Sequence, residues 1–284
     1  MIRIVEVGPR DGLQNEARTV PTDVKVAFVD ALSAASLPEI EAGAFVSPKW
    51  VPQLADSDEV FRRIRRAPGV VYSALVPNEK GLERALAARV DKVAVFTAAS
   101  ETFNRKNINA SVEESIRRFV PVVEGARKVR LPVRGYVSTA FWCPYEGKVA
   151  PDQTLHVVRR LLDLGVDEIS IGDTIGKAVP ADVRDLLKLL LAEVSAARLA
   201  MHFHDTYGHA VENAVESWRR GITTFDSSAG GLGGCPYAPG ASGNVATEAL
   251  AEALRAAGAD VRVDTAALAR ARAVIAPALG RSLA

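Results

Sequence analysis

Short β-branched or apolar runs return along this chain eight times, at intervals of about 30 residues, the size of one strand-plus-helix unit. The runs are Ile2–Val7, Glu39–Gly43, Val70–Val76, Lys92–Thr97, Val133–Ser138, Glu168–Ile171, Leu199–His204 and Thr223–Ser227. Amphipathic helical patterns fill the gaps. Val24–Ala35 carries Val26, Val29, Ala31 and Leu32 at helical spacing, and Val112–Val123, Leu155–Leu164, Val183–Val194 and Ala210–Arg220 repeat the pattern. Thr22, Ser111 and Pro180 stand where helix starts are expected. No Pro/Gly/Ser-rich linker interrupts the alternation, so residues 1–284 read as one domain. Eight such units fit an α/β fold of the (β/α)8 TIM-barrel type better than a doubly wound sheet. Extra C-terminal helices are expected near Gly243–Ala257 and Asp264–Ala278.

A barrel predicts where chemistry sits. Functional side chains gather at the C-terminal ends of the strands and in the loops that follow. Arg10 and Asp11 follow strand 1, Glu41 lies in strand 2, Asp173 follows strand 6, and His202 and His204 close strand 7. Positions i and i+2 of a strand share a face, so the two imidazoles of His202-Phe203-His204 can bind one cation. The plain alternative is two hydrogen-bonded histidines at a strand terminus. With Asp11 they make a facial set of one carboxylate and two imidazoles, open equally to non-haem iron and to a Mg or Mn Lewis acid. Asp205 is expected to cap the next helix or to orient an imidazole.

Other segments carry weaker signals. Arg10 beside Asp11 reads either as a surface ion pair or as a guanidinium for a developing oxyanion. Asp173 is a turn residue or a general base. The loop Gly230–Asn244 holds Cys235 among six glycines, four before it and two after it, and reads as a catalytic loop able to close over substrate. Its end, Asn244, is either a helix N-cap or a metal ligand. Cys143 is expected to be structural, and His156 and His209 to serve surface or packing roles.

Composition removes several functions. Net charge is +1, which gives no broad attraction for nucleic acid. The basic clusters Arg62-Arg63 with Arg65-Arg66 and Arg159-Arg160 read as solvated helix faces. No apolar run is long enough for a membrane span. Two cysteines make no disulfide scaffold, and no targeting segment precedes the first strand, so the cytoplasm is the expected location.

Taken in order, several segments resemble the hydroxymethylglutaryl-CoA lyase family, a metal-dependent lyase family of TIM barrels. They are Val5–Glu16, Phe45–Gln53, Arg105–Asn109, Gly135–Ser138, Cys143–Gly147, Gly172–Gly176, His202–Gly208 and the Cys235 loop. The resemblance implies Mg²⁺ or Mn²⁺ and cleavage of 3-hydroxy-3-methylglutaryl-CoA to acetyl-CoA and acetoacetate, a step of leucine and ketone-body metabolism. It implies Asp11, His202, His204 and Asn244 as metal ligands. It implies Arg10, Glu41, Asp173, Cys235 and His202 as catalytic residues, and Arg10, Gln14 and Ser170 as substrate contacts. An acyl-CoA is the expected small-molecule partner, and a homodimer is what the family suggests. Ala44 and Trp142 depart from the family, which usually has serine at the first position and a small residue at the second. They keep two alternatives open: a lyase acting on another 3-hydroxyacyl-CoA, and an acetyl-CoA-condensing transferase.

Overall fold

The computed structural model describes the backbone of residues 1–235 and 238–283, and the side chains of residues 1–234 and 243–283. Eight parallel strands close into a barrel. They are β1 (Arg3–Glu6), β2 (Glu39–Ala44), β3 (Val71–Leu75), β4 (Lys92–Ala98), β5 (Val133–Ser138), β6 (Glu168–Asp173), β7 (Leu199–Phe203) and β8 (Thr224–Ser227). Closure is made by β1, whose Val5 pairs with Asp226 of β8 on one side and Glu39 of β2 on the other. The expected (β/α)8 TIM barrel is therefore the fold, and each expected strand is present within two residues of its bounds.

The helices are α1 (Thr22–Leu32), α2 (Ser57–Arg63), α3 (Glu79–Ala87), α4 (Glu101–Ile108), α5 (Val112–Lys128), α6 (Pro151–Leu164), α7 (Pro180–Leu190), α8 (Ala210–Arg219), α9 (Thr247–Ala256) and α10 (Thr265–Leu279). Ser111 starts α5 through a capping box with Glu114, and Pro180 occupies the first turn of α7. Of α2, α3 and α4, the sequence reading had only the basic helix face at Arg62-Arg63, which falls in α2. These are helices of 7, 9 and 8 residues, too short to display a 3.6-residue repeat.

The main apolar core lies between the strands and the helix ring, with Phe28, Val29 and Leu32 of α1 and Leu186, Leu187 and Leu190 of α7 fully or almost fully buried. The barrel interior is different. Its floor is charged: Arg3, Glu39, Lys92, Glu168 and Arg134 pair with one another there. Towards the C-terminal mouth a separate small apolar group forms from Ala44, Leu54, Leu75, Ala94 and Tyr136, with Val46, Val51 and Phe96 against it. Strand alternation explains this wall. Lys92 faces inward, so Ala94 and Phe96, two and four residues on, do so too. In β2 a bulge between Glu41 and Gly43 changes the parity. Gly43 consequently backs onto α2, where an added Cβ would sit 2.7 Å from Ser57 Oγ. Ala44 joins the inner wall.

The basic clusters are all ion-paired. Arg62 meets Glu59, Arg63 meets Asp23, Arg65 meets Asp30, Arg66 meets Asp91, Arg159 meets Glu193 and Arg160 meets Glu113. They are salt-bridged outer faces. No helix among the described residues is long and apolar enough to cross a membrane.

Candidate active site and metal centre

After β1 the chain makes one wide turn, Gly8–Gly12, in which the N–H groups of Arg10, Asp11 and Gly12 all donate to the Val7 carbonyl, at 3.2, 2.8 and 3.1 Å. This turn lifts Asp11 over the barrel mouth. It is braced from below by Glu6, whose Oε1 accepts from the N–H groups of Gly8 (3.0 Å) and Ala229 (2.9 Å) while Oε2 accepts from Thr247 Oγ1 (2.8 Å). One buried carboxyl thus ties the turn after β1, the turn after β8 and the start of α9 together. Burial raises the Glu6 carboxyl to about 7, against the pull of those three donors.

Asp11, His202 and His204 converge at this mouth, each offering a ligand atom within 4.8 Å of the others. His202 Nε2 lies 4.0 Å from Asp11 Oδ2, and the two imidazole centroids are 5.3 Å apart. Segment 243–247 threads back across the ends of β7 and β8: Asp205 N–H donates to the Gly243 carbonyl at 2.7 Å, and Val245 N–H to the Phe203 carbonyl at 3.1 Å. That path sets Asn244 beside His204, with its Nδ2 donating to Asp11 Oδ2 at 2.9 Å. Asn244 is not a helix N-cap, because α9 begins three residues later, at Thr247 after Ala246. Asp205 does act at a helix start, accepting from Ala210 N–H at 3.0 Å.

The electrostatics suit a divalent cation. Burial alone would raise the Asp11 carboxyl, but Arg10, the two histidines and Asn244 hold it well below the usual carboxylate range. Burial, assisted by His202, lowers His204 to about 4, so its imidazole is neutral at pH 7, as a ligand must be. His204 Nδ1 is buried with no hydrogen-bond partner among the described residues. An orphaned imidazole nitrogen beside an ionised carboxylate fits a metal ligand set.

Arg10 stands against this cluster. Its Nη1 donates to Asp11 Oδ1 at 2.6 Å and its Nε to Glu41 Oε2 at 2.7 Å. Tyr136 also donates to Glu41 Oε2, at 3.2 Å, and its ring lies 5.3 Å below the guanidinium carbon. Burial raises the Glu41 carboxyl despite Arg10. Asp173 ends β6, and its two oxygens accept from the N–H groups of Lys177 and Ala178 at 3.2 and 2.9 Å. Burial raises it to about 7, partly offset by those two donors and by the His202 field.

Ser170 is fully buried and donates to Asp226 Oδ2 at 2.8 Å. Gln14 is half-buried just beyond the Gly8–Gly12 turn. Cys235 belongs to a two-strand hairpin, Gly234–Cys235 with Ala238–Ser242, but its side chain lies outside the described residues. The root of that hairpin abuts the turn after β1: a Cβ on Gly12 would meet the Leu232 carbonyl at 2.8 Å, and one on Gly233 would meet Asn244 Nδ2 at 3.0 Å. Cys143 is buried with its Sγ 3.0 Å from Ser100 Oγ, a packing role. His156 lies within α6 and His209 at the start of α8.

Four residues of this region carried no sequence signal: Glu6, Arg134, Tyr136 and Asp226. Each lies within a strand, where the sequence reading looked for apolar residues. Only strand parity could have flagged them, since Arg134 and Tyr136 alternate on one face of β5.

A parallel (β/α)8 barrel with a possible divalent-metal site at its C-terminal rim is the class this fold and geometry define. Within that class the chain belongs to the HMGL-like family, whose model matches residues 1–275. It is 52% identical over 280 residues to the mitochondrial hydroxymethylglutaryl-CoA lyase of Rattus norvegicus, covering 99% of this chain and 86% of that one. It is also 52% identical over 281 residues to the 3-hydroxy-3-isohexenylglutaryl-CoA/hydroxymethylglutaryl-CoA lyase of Pseudomonas aeruginosa, covering 99% and 94%. The crystal structure of a hydroxymethylglutaryl-CoA lyase from Pseudomonas aeruginosa superposes with a TM-score of 0.97 at 52% identity, over 99% of this chain and 94% of that one.

The tight contact at Gly12 yields a test. Gly12→Ala forces the Leu232–Gly233 segment to move, at a cost of about 1–3 kcal/mol. Thermal unfolding should show that loss, and Mn²⁺ titration should show weaker binding. Unchanged stability together with unchanged affinity would mean that the two loops do not rely on this contact.

Proposed function

We propose that the chain is a divalent-metal-dependent carbon–carbon lyase that cleaves 3-hydroxy-3-methylglutaryl-CoA to acetyl-CoA and acetoacetate. The observation that carries this reading is the convergence of Asp11, His202 and His204 beside the Arg10 guanidinium, in a barrel of the HMGL-like family. Asp11, His202, His204 and the Asn244 side chain would hold Mg²⁺ or Mn²⁺. When bound, that cation supplies Lewis acidity toward the substrate's tertiary hydroxyl and a carboxylate oxygen.

The chain's own groups then divide the work. Asp173, half-ionised near neutral pH, takes the proton of the C3 hydroxyl. The C2–C3 bond breaks, C3 becomes the ketone of acetoacetate, and the bond electrons pass into the thioester as an enolate. Arg10 steadies the enolate oxygen, with Glu41 and Asp11 fixing its guanidinium in place. Cys235 donates a proton to C2, which releases acetyl-CoA. Gln14 and Ser170 lie along the same rim and inner wall as the substrate contacts.

A second reading concerns the group on C3. The inner wall formed by Ala44, Leu75, Ala94 and Phe96 is apolar and reaches the site through Tyr136, whose ring centroid lies 6.3 Å from that of His202. The Pseudomonas relative is named for a substrate with a long isohexenyl branch as well as for the methyl one. A branch laid on such a wall gains about 0.8 kcal/mol per buried methylene, so a substrate with a larger C3 alkyl group fits the same mechanism.

Purified protein with Mg²⁺ or Mn²⁺ should split hydroxymethylglutaryl-CoA, read as acetyl-CoA and acetoacetate released together. Assayed beside it, 3-ethyl and 3-isohexenyl analogues decide between the two readings by their kcat/KM. Turnover of neither the methyl nor the branched substrates would refute the lyase assignment. The pH profile checks the base. Only ionised Asp173 accepts a proton, so the rate should rise with pH through about 7, and Asp173→Asn should lose most of the rate and this rising limb. An unaltered profile in that variant removes Asp173 from the role.

A further inference from the structure

The polar chain along the barrel floor does not stop beneath the site but runs up into it. Arg3 and Lys92 both bridge Glu39 and Glu168. Arg134 Nε lies 3.1 Å from Glu168 Oε1, and its Nη2 donates to Asp226 Oδ1 at 2.7 Å. Three cations and three carboxylates, Glu39, Glu168 and Asp226, therefore balance inside the barrel. Asp226 is the uppermost member. Its other oxygen, Oδ2, accepts from Ser170 Oγ at 2.8 Å and faces His202 Nδ1 at 3.2 Å. Arg134 and Asp226 are almost fully buried, so this contact is not diluted by water.

The geometry has one consequence for His202. A carboxylate paired with Arg134 can only accept a hydrogen bond. The proton between Asp226 and His202 must then sit on Nδ1, so in the neutral imidazole the lone pair is on Nε2. Nε2 is the atom directed at Asp11, 4.0 Å from Oδ2. His204 Nδ1 has no hydrogen-bond partner among the described residues. The two histidines of the H-x-H motif are therefore unequal: among the described residues, only His202 has a carboxylate at Nδ1.

We propose that Asp226 is a positioning residue, which locks His202 in the Nδ1–H form with Nε2 presented to the metal, and that Arg134 and Ser170 hold Asp226 in place for it. This rests on the metal-site reading above. It goes further in assigning a tautomer and a supporting role to residues outside the ligand set, the arrangement by which a buried carboxylate commonly orients a ligating imidazole.

The first test needs no substitution. Two-bond ¹⁵N–¹H correlation spectra of the metal-free chain should show a proton on Nδ1 of His202; a bare Nδ1 with the proton on Nε2 alone overturns the proposal. The second test uses Mn²⁺ alone, titrated by calorimetry. Asp226→Asn should weaken binding about 10–100-fold and shift the His202 proton toward Nε2. Ser170→Ala keeps the Arg134–Asp226 pair, and should weaken binding in the same direction by less, so the test survives if Asp226→Asn fails to fold. Unchanged Mn²⁺ affinity and unchanged tautomer in a folded Asp226→Asn chain, or in Ser170→Ala if only that variant folds, refute the positioning role. Wild-type chain that binds no Mn²⁺ refutes the metal centre itself, a separate outcome.

Discussion

A carboxylate buried at the mouth of a barrel stays ionised only if positive charge is packed around it, and Asp11 is the group on which this site turns. Desolvation acts to protonate it. Arg10 at 2.6 Å, the two imidazoles and the Asn244 amide reverse that tendency. Arg10 is its sequence neighbour, but the histidines and Asn244 come from the far end of the chain, and barrel closure through β1 and β8 brings them to it. Arg10 is shared with Glu41, so the guanidinium is fixed at two nitrogens and cannot swing away. Glu6 adds mechanical coupling, since one carboxyl braces the loops on either side of the closure.

The barrel interior shows that chain stability and site geometry are separate matters here. The apolar core that holds the fold lies outside the strands, under the helices. The floor is an ion network, and buried ion pairs recover their desolvation cost poorly compared with well-packed apolar groups. Such a floor has a use beyond stability. It ends in Asp226, which touches His202, so the orientation of that imidazole is tied to charges on the opposite end of the barrel. Above it, the bulge in β2 sends Gly43 to the helix side and Ala44 to the inside. The result is a mouth with a polar half, which holds Asp11, His202 and His204, and an apolar half.

The fold was legible because each strand is a short apolar run set off by turns, and because the longer helices, such as α5 and α6, show a full amphipathic repeat. The histidine pair was legible for a local reason: His202 and His204 are two residues apart on one strand, so strand geometry alone puts them on one face. Asp11 became a partner only through the expectation of a barrel rim. Asp226 and Arg134 could not be found this way. They meet across β5 and β8, 92 residues apart, and nothing near either residue announces the other. The bulge in β2 was equally silent, since Glu-Ala-Gly-Ala reads as a regular strand. The sequence left Asn244 between helix cap and metal ligand because the crossing segment before α9 has no pattern of its own; its position comes from that segment's pairing with Phe203, Asp205 and Ser228.

The central claim is that Asp11, His202 and His204 bind one divalent cation. Anomalous diffraction from crystals soaked in Mn²⁺ tests it most directly. The account predicts one strong peak, about 2.0–2.3 Å from a carboxylate oxygen of Asp11 and from one nitrogen of each imidazole, with Nε2 as the His202 ligand. A peak elsewhere in the barrel, or full Mn²⁺ occupancy with either histidine unligated, would contradict it.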